Sequence, residues 1–323
     1  MRIARSLAEL ASFTSPSVVT IGNFDGVHCG HRMVIAALRE RAQQIGAGSV
    51  AVTFDPHPAH VLRTDSRLPL ITPLAHKLDL LATTGLDLVL VLPFTEELRQ
   101  WTARHFAQSV LRDALHAAEV HEGETFRFGH QAEAGMDSLE QLGHELGFAV
   151  RAYQPCIMRG TAISSTRIRS LIAAGSMNQA RALLGRPFSV CSTPATGRGY
   201  GTRYAVPTIN LALYPDLLPA HGVYITTLRI GKDAGSRLFR GVTNVGNRPT
   251  FGADSFAVET HLLAFEPIDL DESTPLEMTF LQRLRAEQRF DSPAALRAQI
   301  GLDVAKAQRY FALANALGVL ALR

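Results

Sequence analysis

One stretch decides the fold of the first half of the chain: residues 22–31, which read Gly22-Asn23-Phe24-Asp25-Gly26-Val27-His28-Cys29-Gly30-His31. A β-rich run, Val18–Ile21, precedes this stretch, and a helical pattern, His31–Ile45, follows it. A strand, a glycine turn and a helix in this order let backbone N–H groups and the positive end of the helix face a phosphate at the carboxyl edge of a parallel sheet. The stretch therefore predicts a phosphate-binding turn.

Two histidines stand at the start of the predicted helix. His28 and His31 are three residues apart, so both can donate hydrogen bonds to an α-phosphate as negative charge builds in a transition state. No covalent intermediate is needed for such chemistry. The alternative is a tight turn followed by two polar residues at a helix end.

The rest of the first half alternates between strand and helix patterns. The predicted strands are Val18–Ile21, Val50–Phe54, Leu88–Leu92, Glu119–His121 and Ala149–Tyr153. The predicted helices are His31–Ile45, Leu74–Thr83, Ala103–His116 and Ser138–Leu146. This βαβ rhythm predicts an α/β domain with a doubly wound parallel sheet.

A change of rhythm marks the predicted domain boundary. Two further helical patterns, Ser165–Ala173 and Met177–Leu184, are followed by the breaker Gly185-Arg186-Pro187. We therefore predict one domain over residues 1–185 and a second over residues 186–323.

The second half consists of strand patterns separated by Gly, Pro and Asn turns. The predicted strands are Phe188–Cys191, Thr208–Leu213, Gly222–Arg229, Phe239–Thr243, Ala257–Leu263 and Leu276–Phe280. The pattern predicts a small antiparallel β-barrel or sandwich. A final helical pattern, Ser292–Leu317, begins with a Ser-Pro cap and is expected to close the barrel.

Composition excludes several classes of protein. The 323 residues are 46% hydrophobic and 19% charged, which is typical of two ordinary globular domains. The net charge of +3, from 32 basic and 29 acidic residues, comes without a basic stripe, so no nucleic-acid partner is expected.

The number and spacing of cysteines and the hydropathy of the chain indicate in which cellular compartment the protein is expected. The three cysteines form no CxxC pair, which indicates neither a disulfide framework nor a zinc site. The longest apolar run, residues 86–92, is too short to cross a bilayer, and residues 1–10 lack the apolar core of a secretory signal. We therefore expect a cytoplasmic protein without a membrane partner.

A second candidate site is the segment Ile163-Ser164-Ser165-Thr166-Arg167-Ile168-Arg169. Its hydroxyls at a helix start, followed by two arginines, suit the binding of a triphosphate. The alternative is an N-cap followed by solvated helix residues.

A third candidate site lies in residues 197–210. Gly197, Gly199 and Gly201 stand at alternate positions, and such a loop can approach phosphates through its backbone. Thr208 and Asn210 are two apart on one strand, so their oxygens point to the same face and suit a shared Mg²⁺ ion. The alternatives are a flexible hairpin and cross-strand hydrogen bonds.

Three segments of the first half resemble one enzyme family. GNFDGVHCGH, the later Thr53-Phe54-Asp55-Pro56-His57-Pro58 and ISSTRIR resemble the bifunctional riboflavin kinase/FAD synthetase family of bacteria. HxGH and the ISSTxxR segment occur in many nucleotidyltransferases. The TFDPHP segment and Ile71-Thr72-Pro73 therefore select this family.

The resemblance assigns roles to individual residues. The predicted catalytic residues of adenylyl transfer are His28, His31 and Arg169. The predicted ATP-binding residues are Gly22, Asn23, Phe24, Asp25, Gly30, Ser164, Ser165, Thr166, Gly197, Gly199 and Gly201. The predicted flavin-binding residues are Asp55, His57, Pro58, Phe126 and Arg248. For Phe126 and Phe128 the pattern favours core packing over stacking on a ligand. The family usually has an acidic residue or Asn where this chain has Thr125.

The second half resembles the same family through four segments. They are the Pro-Thr-x-Asn segment 207–210, His221-Gly222-Val223-Tyr224, residues 244–251, and Glu259-Thr260-His261-Leu262-Leu263. The resemblance implies a riboflavin kinase barrel in which Thr208 and Asn210 bind Mg²⁺ and Glu259 is the base for the riboflavin 5′-hydroxyl. Thr202 and Ala205 depart from the family pattern.

The resemblance implies two sequential reactions. The barrel would convert riboflavin and ATP to FMN, and the N-terminal domain would convert FMN and ATP to FAD and pyrophosphate, both with Mg²⁺. The departures at Thr202 and Ala205 leave a monofunctional FAD synthetase as the alternative. A third hypothesis is a non-catalytic flavin-binding protein. The presence of all the predicted catalytic residues together argues against it.

Overall fold

The computed structural model describes residues 1–62, 67–195, 208–232, 235–247, 256–264 and 270–318. Contacts within the chain divide it into two compact units, Met1–Arg167 and Ile168–Arg323. Each unit has its own six-stranded sheet.

The N-terminal unit alternates strands and helices. Its strands are β1 (Arg2–Ala4), β2 (Ser17–Ile21), β3 (Gly48–Asp55), β4 (Leu88–Pro93), β5 (Ala117–Gly123) and β6 (Ala149–Tyr153), followed by the hairpin β7 (Ile157–Met158) and β8 (Thr161–Ala162). Its helices are α1 (Cys29–Ile45), α2 (Pro58–Leu62), α3 (Leu74–Ala82), α4 (Glu96–Arg99), α5 (Ala103–Phe106) and α6 (Met136–Leu146), with 3₁₀ turns at Ala8–Leu10 and His130–Ala132. Helix α7 (Ser165–Ala173) runs across the division between the units.

The strand order β1-β4-β3-β2-β5-β6, with every pair parallel, confirms the predicted doubly wound sheet. From β2 the chain first adds β3 and β4 on one side and later β5 and β6 on the other. The order therefore reverses at β2, and the carboxyl end of β2 is the position where ligands bind in such sheets.

Alternate strand residues enter two separate cores. Val18 packs with Ile35 and Leu38 of α1 on one face, and Val19 packs with Val110 and Leu139 on the other. Because successive side chains of a strand point to opposite faces, a sheet covered on both sides has almost continuously apolar strands.

Several local predictions needed correction. The predicted helix Ala103–His116 is one α-helical turn, α5, followed by a π-helix at Ala107–Ala114. The sequence pattern did not predict β1, α2, α4 or the β7–β8 hairpin. That hairpin turns at Arg159 and Gly160, both with positive φ (53° and 72°), which is the backbone a two-residue turn requires.

The C-terminal unit is an antiparallel barrel. Its first complete helix is α8 (Met177–Leu184), and its strands are β9 (Phe188–Ser192), β10 (Thr208–Asn210), β11 (Gly222–Ile230), β12 (Arg237–Asn247), β13 (Phe256–Leu262) and β14 (Leu276–Ala286). The sheet order is β10-β13-β12-β11-β14-β9, and an antiparallel bridge between Pro194 and Leu211 joins its two edges. Strand β10 is shorter than the predicted Thr208–Leu213, because Leu211 pairs outside the strand, in that bridge.

The last helix packs on the outside of the barrel. Helix α9 (Pro293–Ala316) begins at Ser292, whose Oγ accepts a hydrogen bond from the Ala295 N–H, as the Ser-Pro cap predicted. Ala307 and Phe311 of α9 share a core with Val223, Ile225 and Val242 of the barrel. The predicted barrel with a closing helix is confirmed.

Candidate functional site

The turn after β2 lies at the switch point of the parallel sheet. It has left-handed backbone at Phe24 (φ 46°), Gly26 (φ 87°) and Val27 (φ 37°). Left-handed conformations at bulky residues are unfavourable and persist only where the surroundings enforce them. Bonds from several other elements hold this turn.

The two predicted catalytic histidines lie together. Their rings stack with centroids 3.5 Å apart and an angle of 13° between the ring planes. His28 is the N-cap of α1, and its Nδ1 accepts a hydrogen bond from the His31 N–H at 3.3 Å. A Cβ at Gly30 would lie 3.3 Å from the His28 ring, so glycine leaves that ring the room it occupies.

The carboxylate of Asp25 connects the turn to the segment before α3. Asp25 is 2% exposed, and its oxygens accept hydrogen bonds from the backbone N–H groups of Ile71 (3.2 Å) and Thr72 (2.9 Å). The Thr72 hydroxyl in turn accepts from the Gly26 N–H at 2.9 Å. In the sequence, the Ile71-Thr72-Pro73 segment was used only to distinguish one family from others. In the structure, this segment holds the turn in place through hydrogen bonds.

The ISSTRIR segment reaches the same turn. The Ser165 hydroxyl donates a hydrogen bond to the Asp25 carbonyl oxygen at 2.8 Å. Ser164 accepts from the Arg167 N–H at 3.3 Å. Thr166 and Arg169 follow in the first turns of the same helix, α7. The segment therefore contacts the turn after β2 through the Ser165 hydroxyl.

The predicted flavin-binding residues divide into two groups. Asp55 ends β3, and His57 and Pro58 follow it, so all three lie at the same carboxyl edge as Gly22. His57 also accepts a hydrogen bond from the Ala59 N–H. Phe126 stacks on Phe128, with centroids 5.4 Å apart, and packs against the core. This placement of Phe126 agrees with the core-packing alternative.

A second set of polar residues crosses three strands of the barrel. In the strand register Glu259 of β13 lies opposite Asn210 of β10 and opposite Asn244 of β12, while Thr208 lies two residues from Asn210 on the same face. Directly opposite side chains of antiparallel strands are about 5 Å apart at Cβ. The oxygens of Thr208, Asn210 and Glu259 are of the type that Mg²⁺ prefers. The predicted residues Gly197, Gly199, Gly201 and Arg248 lie outside the described part of the chain, as do Thr202 and Ala205.

Comparison with known proteins identifies the family. A family model for FAD synthetase matches residues 10–167, and one for riboflavin kinase matches residues 184–311. A bifunctional riboflavin kinase/FMN adenylyltransferase from Pseudomonas fluorescens is 37% identical over 95% of this chain and 97% of its own. The protein of the same name from Escherichia coli strain K12 is 33% identical over 97% of this chain and 99% of its own. The chain belongs to the bifunctional riboflavin kinase/FMN adenylyltransferase family.

A solved structure is similar in fold to this chain. A macrolide-efflux protein from Streptococcus pneumoniae aligns with a TM-score of 0.82 and 25% identity, over 95% of this chain and 98% of its own. That name belongs to the neighbouring structure, and the agreement concerns the fold. Among the described helices, none is both long enough and apolar enough to traverse a lipid bilayer.

Two buried ionisable residues that adjoin the turn after β2 were not identified from the sequence. Lys77 of α3 is 4% exposed and donates hydrogen bonds to the Asn23 carbonyl oxygen and to the Thr53 hydroxyl. Burial lowers the pKa of Lys77 to about 8, against the opposing effect of the negative charges of Asp25 and Asp55. Helical spacing contained a signal for it, because Lys77 stands on the same helix face as Leu74, Leu78 and Leu81.

The second buried group is Glu122, at the end of β5. It is 4% exposed, and its Oε1 accepts hydrogen bonds from the Ile21 N–H and from the Thr20 hydroxyl, directly before the turn that follows β2. Burial raises the pKa of Glu122 well above its usual range, and these two hydrogen bonds only partly offset that effect.

Ionic contacts anchor α1 to the sheet. Glu119 of β5 binds Arg41 of α1 at 2.6 Å, Arg151 of β6 at 3.0 Å and His121 at 3.1 Å. The hydrogen bond from Arg41 lowers the pKa of Glu119 to about 2, even though burial acts in the opposite direction. The helix that begins with the two histidines is therefore tied to β5 at its far end.

Proposed function

We propose that the chain catalyses two sequential reactions, phosphorylation of riboflavin by ATP in the barrel and adenylylation of the resulting FMN in the N-terminal domain. The observation that carries the second reaction is the stacked pair of His28 and His31 at the N-terminus of α1, at the switch point of the sheet. The first reaction rests on the riboflavin kinase match and on the row formed by Asn210, Glu259 and Asn244.

In adenylyl transfer, a phosphate oxygen of FMN attacks the α-phosphorus of ATP, and the bond to pyrophosphate breaks. Because Nδ1 of His28 accepts the His31 N–H, a neutral His28 carries its proton on Nε2 and can donate it in a hydrogen bond to the α-phosphate. His31, Arg169 and the N–H groups at the start of α1 add positive potential where charge develops. The protein thus contributes positioning and charge stabilisation.

In riboflavin phosphorylation, Glu259 accepts the proton of the 5′-hydroxyl while that oxygen attacks the γ-phosphorus of ATP, and the bond from the γ-phosphorus to the departing ADP breaks. Thr208 and Asn210 are the residues that would hold a Mg²⁺ ion, which when bound neutralises phosphate charge. Both proposed roles follow from oxygens that share one face of neighbouring strands. Since both reactions consume ATP, we place the protein in the cytoplasm.

A monofunctional FAD synthetase with an inactive barrel is not favoured. The riboflavin kinase match spans residues 184–311 and so includes Thr202 and Ala205, the two departures that support that reading.

The test is a product analysis on the full-length protein. Riboflavin or FMN is incubated with ATP and Mg²⁺, and the flavins are separated by chromatography with fluorescence detection. We expect FAD from both substrates, with FMN as an intermediate from riboflavin. The His28→Ala variant should convert riboflavin to FMN but accumulate FMN, because its rate of FMN adenylylation should fall at least about 100-fold. Glu259→Ala should make FAD from FMN only.

Matched surface variants control for the substitutions themselves. His144→Ala on α6 and Glu272→Ala before β14 remove the same side chains at exposed positions and should retain both activities. Absence of FAD from FMN in the wild-type protein, with oxidised and with reduced flavin, would refute the N-terminal assignment. Absence of FMN from riboflavin would refute the barrel assignment.

A further inference from the structure

Lys77 lies where α3 meets the carboxyl ends of β2 and β3. Its Nζ is 3.1 Å from the carbonyl oxygen of Asn23, in the phosphate-binding turn, and 3.0 Å from the hydroxyl of Thr53, near the end of β3. Thr53 is fully buried and its hydroxyl also lies 3.4 Å from the same Asn23 carbonyl. The ammonium group therefore joins the turn to the neighbouring strand from inside the protein.

Keeping a charge at this position is costly. The Lys77 side chain is almost completely buried, and a buried ammonium loses most of its hydration. Only two partners, a carbonyl and a hydroxyl, receive its hydrogen bonds in the described contacts. The acidic groups that face it are Asp25, in the turn after β2, and Asp55, at the end of β3. A neutral apolar residue would fill this space with less loss of stability, so a structural tether alone does not account for the lysine.

The choice of lysine over arginine is also informative. The chain contains 32 lysines and arginines, of which only Lys77, Lys232 and Lys306 are lysines. A random basic residue in this protein is therefore an arginine in most cases. Lysine provides a compact point charge with three donors, whereas arginine needs acceptors for a fork of five. The enclosed space between Asn23 and Thr53 suits the smaller group.

We propose that Lys77 is a positioning residue for adenylyl transfer, whose ammonium group fixes the Asn23 carbonyl and the Thr53 hydroxyl so that the phosphate-binding turn is held in its reactive arrangement. This inference rests on the proposed function of the N-terminal domain. It assigns Lys77 no contact with substrate. Its charge lies behind the turn and acts through Asn23, while Asp25 and Thr72 hold the other side of the same turn.

The direct test compares Lys77→Met with Lys306→Met in the full-length protein. Methionine has about the length of lysine but neither charge nor donors, and Lys306 is an exposed residue of α9. We expect kcat/KM for FMN adenylylation to fall about 10- to 100-fold in Lys77→Met, the scale of effect for a misplaced reacting group. Riboflavin phosphorylation by the same molecules should be unchanged, and Lys306→Met should retain both activities.

The pH profile separates this role from a merely structural one. In the wild-type protein the rate of adenylylation should decline above about pH 8, because Lys77 loses its proton there. The phosphates of FMN and ATP do not titrate in that range, since their last pKa values lie near 6. The decline should be absent from Lys77→Met, and the Tm of that variant should not fall below the wild-type value.

Three results would overturn the proposal: unchanged kcat/KM in Lys77→Met, a decline above pH 8 that persists in that variant, or a wild-type profile that stays flat to pH 9.5. If Lys77→Met also loses kinase activity, the variant is not informative, and the pH profile of adenylylation by the wild-type protein decides whether the proposal holds. A wild-type protein that makes no FAD from FMN at any pH is a different outcome, and it refutes the proposed function itself.

Discussion

At the scale of single residues, the N-terminal site contains ionisable side chains in environments that disfavour their charge. The pKa of Lys77 falls from 10.5 to about 8, which corresponds to a loss of about 3 kcal/mol of stability at neutral pH. Because the folded pKa is the lower one, this loss is recovered only as the pH rises from 8 toward 10.5. Both Lys77 and Glu122 adjoin the turn after β2. The burial of these two ionisable groups therefore lowers the stability of the folded protein next to the proposed site of the reaction.

Glu122 provides a test of this cost. A carboxyl group with a raised folded pKa contributes stability that is complete below its unfolded value of 4.5 and is lost as the pH rises through the folded value. Glu122→Gln retains the acceptor for the Ile21 N–H but cannot ionise. We expect its free energy of unfolding at pH 8 to exceed that of the wild-type protein by about 1–3 kcal/mol.

The measurement is urea unfolding at pH 5 and at pH 8. The advantage of Glu122→Gln should be smaller at pH 5, because less of the unfolded wild-type protein has an ionised Glu122 at that pH. Glu124→Gln, two residues away and exposed, should behave as the wild-type protein. An equal difference at both pH values would show that ionisation of Glu122 is not the cause.

At the scale of elements, the turn between β2 and α1 depends on a segment more than forty residues away in sequence. Thr72 is 2% exposed, and its hydroxyl accepts the hydrogen bond of the Gly26 N–H and lies 3.4 Å from a carboxylate oxygen of Asp25. The backbone of the turn is left-handed at Phe24 and Val27, so it needs such external bonds to persist.

Thr72→Val removes the hydroxyl while preserving the shape of the side chain. The Gly26 N–H would then lose its hydrogen bond to the Thr72 hydroxyl, and the loss of one such bond costs about 0.5–1.5 kcal/mol of stability. We expect FMN adenylylation to fall about tenfold, while riboflavin phosphorylation continues at the wild-type rate. Steady-state kinetics of both reactions and thermal unfolding measure these effects. Thr72→Ser keeps the hydroxyl and should retain adenylylation. If Thr72→Val adenylylates FMN at the wild-type rate, the Thr72 hydroxyl is not needed to hold the turn.

At the scale of the whole molecule, the domain boundary predicted from the sequence and the boundary found from the contacts differ. They assign helices α7 and α8 to different domains. The sequence predicted a boundary at residue 185, and the contacts divide the chain after residue 167. Helix α8 packs on β9 and β14, and its residues Met177, Leu183 and Leu184 are buried. The apolar surface of α8 therefore argues for including it with the barrel.

A pair of fragments distinguishes the two divisions. We expect residues 168–323 to fold and to phosphorylate riboflavin. We expect residues 186–323 to be less stable by about 3 kcal/mol or more, because each large apolar side chain contributes about 1.5–3 kcal/mol when buried. Circular dichroism melting and the kinase assay measure both. Equal stability of the two fragments would support the predicted boundary at residue 185.

The sequence by itself determined the α/β class of the first half, an antiparallel barrel or sandwich for the second and the position of His28 and His31 at a helix start, because these depend on local periodicity and on one continuous segment. It also predicted the common face of Thr208 and Asn210, since strand side chains alternate. Only the tertiary structure decided that Asn23 meets Lys77, that Asp25 meets Thr72 and that Glu122 meets Ile21. Those contacts join residues 47 to 101 positions apart, and burial changes the pKa of a side chain only after the strands and helices have packed.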